Sequence, residues 1–203
     1  MTYLERLKNQ FYEIYILFYT TVYRTIYRYF GLFITDVIYT VLPKYSLICD
    51  NLYISEYSTA NDKQFITDNG IKLIINVTKE LPFEDPSNGS IEQIRIPVDD
   101  DGSPISNEAL LKYVQDNNIY DTVTRHLDTK QGVLVHCKSG VQRSPTVVAM
   151  ILMKKLNIPF NEATRMIQKE RYPTFFPFNN FIIALKEYEK ILSQTQNNIN
   201  ETG

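Results

Sequence analysis

The chain has 203 residues, 44% hydrophobic and 22% charged, with a formal net charge of −2. That length suits one domain or one domain with an extension, and the composition excludes a disordered or collagen-like chain. The charge excludes a global basic field for nucleic acid, and two cysteines with two histidines make neither a disulfide framework nor a Cys-rich zinc site. The expectation is a protein with no metal or other cofactor, in a reducing compartment such as the cytoplasm.

Residues 1–44 stand apart. Nine of the 15 tyrosines lie between Tyr3 and Tyr45, and Tyr12, Tyr15, Tyr19, Tyr23 and Tyr27 recur at helical steps of three or four. One or two helices are expected, punctuated by Gly31 and Pro43. Glu13, Arg24, Arg28 and Asp36 keep every apolar run below the roughly 18 residues of a spanning helix. No small-residue cleavage site follows, so a secretory signal is not expected. The segment has three readings: extra core packed on the next domain, a homodimer contact, or a peripheral membrane contact with Arg24 and Arg28 at lipid headgroups.

From Tyr45 the pattern becomes α/β. Short strands are expected over Ser46–Cys49 and Leu52–Ile54, then a helix over Thr59–Asn69. KLIINV (Lys72–Val77) reads as a buried strand and Leu81–Ser90 as a loop. Ile91–Ile96 is a further strand, Asp99–Pro104 an acidic loop and Ser106–Asp128 mostly helix. GVLVH (Gly132–His136) is a third core strand, followed by helices over Pro145–Leu156, Asn161–Lys169 and Phe181–Leu192. Ser193–Gly203 is polar and is expected to be a disordered tail. Strands alternating with helices predict a central, mostly parallel sheet with helices on both faces, whose active site lies at the carboxyl ends of strands. That directs attention to the residues after His136.

Those residues are His136-Cys137-Lys138-Ser139-Gly140-Val141-Gln142-Arg143-Ser144. A loop between a strand and a helix N-terminus turns several backbone N–H groups toward one point, which the helix dipole makes a place for an anion. Gly140 permits a positive φ or a close backbone approach. Arg143, six residues past Cys137, carries a planar fork that matches phosphate oxygens. Cys137, at the loop's start, feels both the dipole and the guanidinium, which favour its thiolate, a nucleophile aimed at phosphorus.

The run HCKSGVQRS resembles the H-C-x5-R-S/T signature of cysteine-dependent phosphatases, and VLVHCKSGVQRSPTVVAMILM is similar to the dual-specificity subfamily. SLICDNLYISEYSTAND, GIKLIINVTKELP and RYPTFFPFNNFIIALKEYE extend the resemblance over about residues 45–192, the expected catalytic domain. The resemblance implies a sheet with helices on both faces and a phosphatase of phosphotyrosine and phosphoserine/threonine in proteins. It makes Cys137 the site of a phosphocysteine intermediate. Arg143 binds the phosphate with the backbone N–H groups of Lys138, Ser139, Gly140, Val141, Gln142 and Arg143. Ser144 donates to the departing thiolate, and His136 supports the loop. The family keeps an acidic residue in the loop after a strand ending Ile-Pro, here Ile96-Pro97-Val98-Asp99-Asp100-Asp101. Asp100 is the expected general acid, with Asp99 next and Asp101 third.

The sequence departs from the pattern at two places. Gln142 replaces a common Ser, which is expected to alter substrate choice at the pocket. Pro177-Phe178-Asn179-Asn180-Phe181 replaces Pro-Asn-x-Gly-Phe, which is expected to change packing and not catalysis. Lys138 keeps open a phospholipid phosphatase acting at a membrane surface (phosphatidylglycerophosphate- or phosphoinositide-directed), since lipid-directed relatives also place Lys after the nucleophile. An RNA 5′-triphosphatase lacks its basic run here. A non-catalytic phosphate-binding module fits poorly with Cys137, Arg143 and Asp100 all present. Cys49 is read as a buried strand cysteine, not a redox partner of Cys137.

Overall fold

The structure, a computed structural model, describes residues 43–83, 89–172, 174–176 and 178–201. The aromatic segment before Pro43, and the expectations attached to it, lie outside the described residues. Five strands form one sheet: β1 (Tyr45–Cys49), β2 (Leu52–Ser55), β3 (Ile71–Asn76), β4 (Glu92–Arg95) and β5 (Gly132–His136). Their order is β1-β2-β5-β3-β4; β1 and β2 form an antiparallel hairpin and every other pair is parallel. Asp50, at a φ of 44°, makes the hairpin corner. β5 lies at the centre, with Val135 in register with Ile54 on one side and Ile75 on the other.

The strands bury both faces, as the unbroken apolar runs of β3 and β5 predict. Leu52, Ile54, Leu73, Ile75, Val133 and Val135 enter the larger core, whereas Tyr53, Ile74 and Leu134 enter the smaller one, the two-residue alternation of a pleated sheet. The smaller core is closed by α1 (Tyr57–Ala60) and α2 (Lys63–Asp68) through Ala60, Phe65 and Ile66. The larger is closed by α3 (Pro104–Asp116), α4 (Ile119–Asp128), α5 (Arg143–Leu156), α6 (Phe160–Glu170) and α7 (Ile182–Glu201). The doubly covered, mostly parallel sheet is thus what the sequence predicts. α5 is buried from Arg143 through Met153, which makes it the helix around which that layer packs.

Two expectations are corrected and a third is refined. The helix expected over 59–69 is split, because the Asp62 carboxylate accepts the Gln64 and Phe65 N–H groups at 3.0 and 3.1 Å and starts α2 there. The stretch 106–128 is mostly helix as expected, in two helices parted at Asn118, whose φ of 49° leaves the right-handed region. The expected disordered tail is helical through Glu201. No Gly or Pro interrupts 193–201, and the Ser193 and Thr195 hydroxyls fold back onto the carbonyls of Glu189 and Ile191 at 2.9 Å. Among the described residues no helix is long and apolar enough to cross a membrane.

Candidate active site

Cys137 follows β5 directly, and Arg143 opens α5, so the 137–143 loop joins the central strand to the central helix. The loop's outer side is fully engaged. Tyr57 N–H donates to the Lys138 carbonyl at 3.1 Å, and Phe175 N–H to the Val141 carbonyl at 2.8 Å. The Arg171 guanidinium donates to the Ser139 carbonyl at 3.1 Å and to the Gly140 carbonyl at 2.8 Å. In a trans peptide the C=O and the following N–H point in opposite directions. Four carbonyls held outward therefore turn the N–H groups of Ser139, Gly140, Val141 and Gln142 toward the inner side. One of them, Gly140 N–H, meets Cys137 Sγ at 3.3 Å. α5 has no side-chain cap at Gln142, so its first N–H groups add to the same positive pole.

Gly140 meets both conditions read from the sequence. Its φ is 69°, and a Cβ there would lie 2.6 Å from the Ser55 carbonyl oxygen and 2.9 Å from Arg171 Nη2. Arg171, not picked out by the sequence reading, is 1% exposed and also donates to the Pro43 carbonyl at 2.7 Å. Burial pulls its pKa down to about 10, against the raising influence of Cys137 and Glu56. A lone arginine after a helix carries no spacing motif, so only the tertiary fold reveals its role.

Cys137 is 1% exposed, and the Ser144 hydroxyl lies 3.4 Å from its sulfur. Arg143 is 3% exposed; its Nη1 donates to both Glu80 carboxylate oxygens at 3.0 and 3.2 Å and to the Val98 carbonyl at 3.3 Å. Its Nε is buried without a hydrogen-bond partner. Asp100 Oδ2 stands 3.3 Å from that Nε, an ion-pair distance without hydrogen-bond alignment. A buried guanidinium N–H without a hydrogen-bond partner is a donor that an oxyanion could satisfy. Glu80 is a second residue missed in the sequence. Arg95, which donates to the carbonyls of Thr78 and Leu81 at 2.8 and 2.7 Å, shapes the turn that delivers it.

The three aspartates separate cleanly. Asp99 forms an exposed ion pair with Lys79. Asp101 accepts the Ser103 N–H at 2.9 Å, a turn contact that lowers its pKa. Asp100 alone faces Arg143, and burial raises its carboxyl pKa against the lowering influence of Asn180 and Arg143. His136 is 1% exposed with Nδ1 3.3 Å from the Cys137 carbonyl oxygen, and burial lowers its pKa to about 4. A neutral ring beneath the loop suits a supporting role. Lys138 is exposed and Ser139 half-buried at the rim.

Gln142 corrects an expectation. Its side chain is buried away from the pocket, donating to the carbonyls of Phe176 and Phe178 at 3.2 and 2.8 Å and accepting the Asn180 N–H at 3.1 Å. It therefore cannot choose substrate by direct contact. Cys49 is a free thiol, half-buried at the end of β1, and burial pushes its pKa up. Among the described residues no group of three or more His, Cys, Asp or Glu side chains could hold a metal.

The family model described as "Dual specificity phosphatase, catalytic domain" matches residues 52–191. The chain is 30% identical over 156 residues to human "Dual specificity protein phosphatase 9", covering 77% of this chain and 39% of that one. It is 33% identical over 150 residues to "Protein phosphatase Slingshot" of Drosophila melanogaster, covering 74% of this chain and 14% of that one. The chain thus spans less than half the length of these curated relatives. The fold is shared with human DUSP28, at a TM-score of 0.64 and 22% identity over 75% of this chain and 97% of that one. It is shared too with PTPMT1, whose structure is in complex with PI(5)P, at 0.59 and 22% over 76% of this chain and 99% of that one. With a family model matched from the hairpin into the last helix, the chain belongs to the dual specificity phosphatase catalytic-domain family.

Proposed function

We propose that the chain hydrolyses phosphotyrosine and phosphoserine/threonine in proteins through a phosphocysteine intermediate. The observation that carries this is the buried Cys137 sulfur, met by the Gly140 N–H and the Ser144 hydroxyl, beside the unbonded Arg143 Nε. In the first step Cys137 Sγ attacks phosphorus, the P–S bond forms and the P–O ester bond breaks. The leaving oxygen takes the Asp100 proton, which a raised pKa helps to retain. Arg143 and the inward N–H groups hold the equatorial oxygens. In the second step Asp100 takes a proton from water as it attacks phosphorus, and the P–S bond breaks. Ser144 donates to the departing sulfur.

On this reading the substrate is a phosphoprotein, no cofactor takes part, and a reducing compartment such as the cytoplasm keeps Cys137 reduced. The test compares kcat/KM on a phosphotyrosyl peptide, a phosphothreonyl peptide and a short-chain anionic phospholipid, with Cys137→Ser as the blank. Peptides are expected to lead by tenfold or more, about 1.4 kcal/mol of transition-state preference. Cys137→Ser is expected to bind phosphate without turnover, and unchanged turnover in that variant would overturn the mechanism. A lipid lead of the same size would instead make exposed Lys138 the selecting residue. A truncation starting at Tyr45 tests residues 1–44: loss of dimerisation or of vesicle binding names their role.

A further inference from the structure

The two departures from the family pattern, Gln142 and the Asn179-Asn180 pair, meet each other in the fold. Asn180 is held at both backbone polar groups. Its N–H donates to Gln142 Oε1 at 3.1 Å, and its carbonyl accepts from Asn107 Nδ2 at 2.9 Å. Asn107 is itself fixed, accepting the Ala184 N–H at 3.0 Å and donating to the Ser103 carbonyl at 2.9 Å. With its backbone clamped between the phosphate loop and α3, Asn180 directs its side chain at the acidic loop. There Nδ2 donates to Asp100 Oδ1 at 2.9 Å.

We infer that Asn180 is a positioning residue for the general acid, aiming the Asp100 proton at the leaving group. The inference rests on the reading of Asp100 as that acid. A neutral carboxylic acid has one carbonyl oxygen and one hydroxyl oxygen. The carbonyl oxygen is the better acceptor, so the N–H donated to Oδ1 favours the tautomer with the proton on Oδ2, whose approach to Arg143 Nε lacks hydrogen-bond alignment. Oδ2 is the oxygen on the Arg143 side, 3.3 Å from Nε, where the phosphate is held. On this inference the substitution in the closing element bears on catalysis as well as on packing.

The experiment is steady-state kinetics of the full chain, Asn180→Ala, Asn180→Gly and Asp100→Asn on two substrates. One is a phosphothreonyl peptide, whose alkoxide must be protonated to leave; the other is an aryl phosphate with an acidic phenol that leaves without that proton. Both Asn180 variants keep the backbone bonds, and thermal melts establish that each is folded. Asn180→Ala and Asn180→Gly are expected to lose at least tenfold in kcat on the peptide with KM within twofold, and less than threefold in kcat on the aryl phosphate. A general loosening of the site would lower both substrates alike, and that result would overturn the inference. If Asp100→Asn shows the leaving-group split and the Asn180 variants do not, the positioning role falls alone. If Asp100→Asn shows no split, the acid assignment falls and takes this inference with it.

Discussion

The Cys137 side and the Asp100 side of the candidate site, the proposed nucleophile and the proposed acid, are held by different means. On the nucleophile side Cys137, Arg143 and Ser144 are at most 3% exposed, and the loop between them is fixed through its own carbonyls. On the acid side Asp100 keeps 31% of its side chain exposed and lies between exposed Asp99 and Asp101. Its position depends on one hydrogen bond from Asn180 and one ion-pair contact with Arg143. The phosphate cradle is thus built from backbone and core, where any change is felt as folding energy. Asp100 is placed by two side-chain contacts, of which the one from Asn180 can be removed without touching a buried residue of the 137–143 loop. A change on the Asp100 side is therefore expected to act on activity, and one on the Cys137 side on stability.

The largest effect expected on that contrast comes from Arg171→Met. Methionine fills part of the space but donates nothing, leaving the Ser139 and Gly140 carbonyls without their partner. Each buried acceptor so abandoned costs about 1–3 kcal/mol, so the two together should cost roughly 2–6 kcal/mol. The urea midpoint should fall accordingly, and phosphate binding should weaken in whatever remains folded. An unchanged midpoint would mean that the loop holds its shape without an outer clamp.

The residues legible in the sequence were those whose meaning is local. Cys137, Gly140, Arg143 and Ser144 lie within one segment, so their spacing alone describes an anion loop on a helix N-terminus. β3 and β5 announce themselves as apolar runs because both faces of a central parallel strand are covered. Arg171, Glu80 and Asn180 were not legible as site residues. Each lies more than twenty-five residues from its partner in the chain, so no local spacing shows the pairing. The split at Asp62 was readable in principle, since an aspartate before three helix formers is an N-cap signal.

A smaller effect is expected from pH, and it separates His136 from the residues around it. The folded ring has its pKa lowered to about 4, from an ordinary 6.5, by burial. A lowered folded pKa means that the unfolded chain binds the proton more readily. The stability this contributes is complete above 6.5 and is lost as pH falls from 6.5 toward 4, on the order of 3 kcal/mol in all. Between pH 7 and 4.5 the unfolding free energy of the wild type should drop about 2 kcal/mol more than that of His136→Gln, which has no ring to protonate. Parallel curves for the two proteins would show that the ring is not what acid disrupts.

The smallest effect is the sharpest check on which aspartate matters. Asp99 and Asp100 are neighbours of identical chemistry, and only their surroundings differ. Asp99 is about half exposed and paired with an equally exposed Lys79, an arrangement worth roughly 0–1 kcal/mol at most. Asp99→Asn should therefore leave kcat on a phosphothreonyl peptide within about twofold, below 0.5 kcal/mol. A loss there approaching that of Asp100→Asn would mean that the acidic loop reaches the substrate in a different register. The proton donor would then be set by loop movement and not by the Asn180 contact.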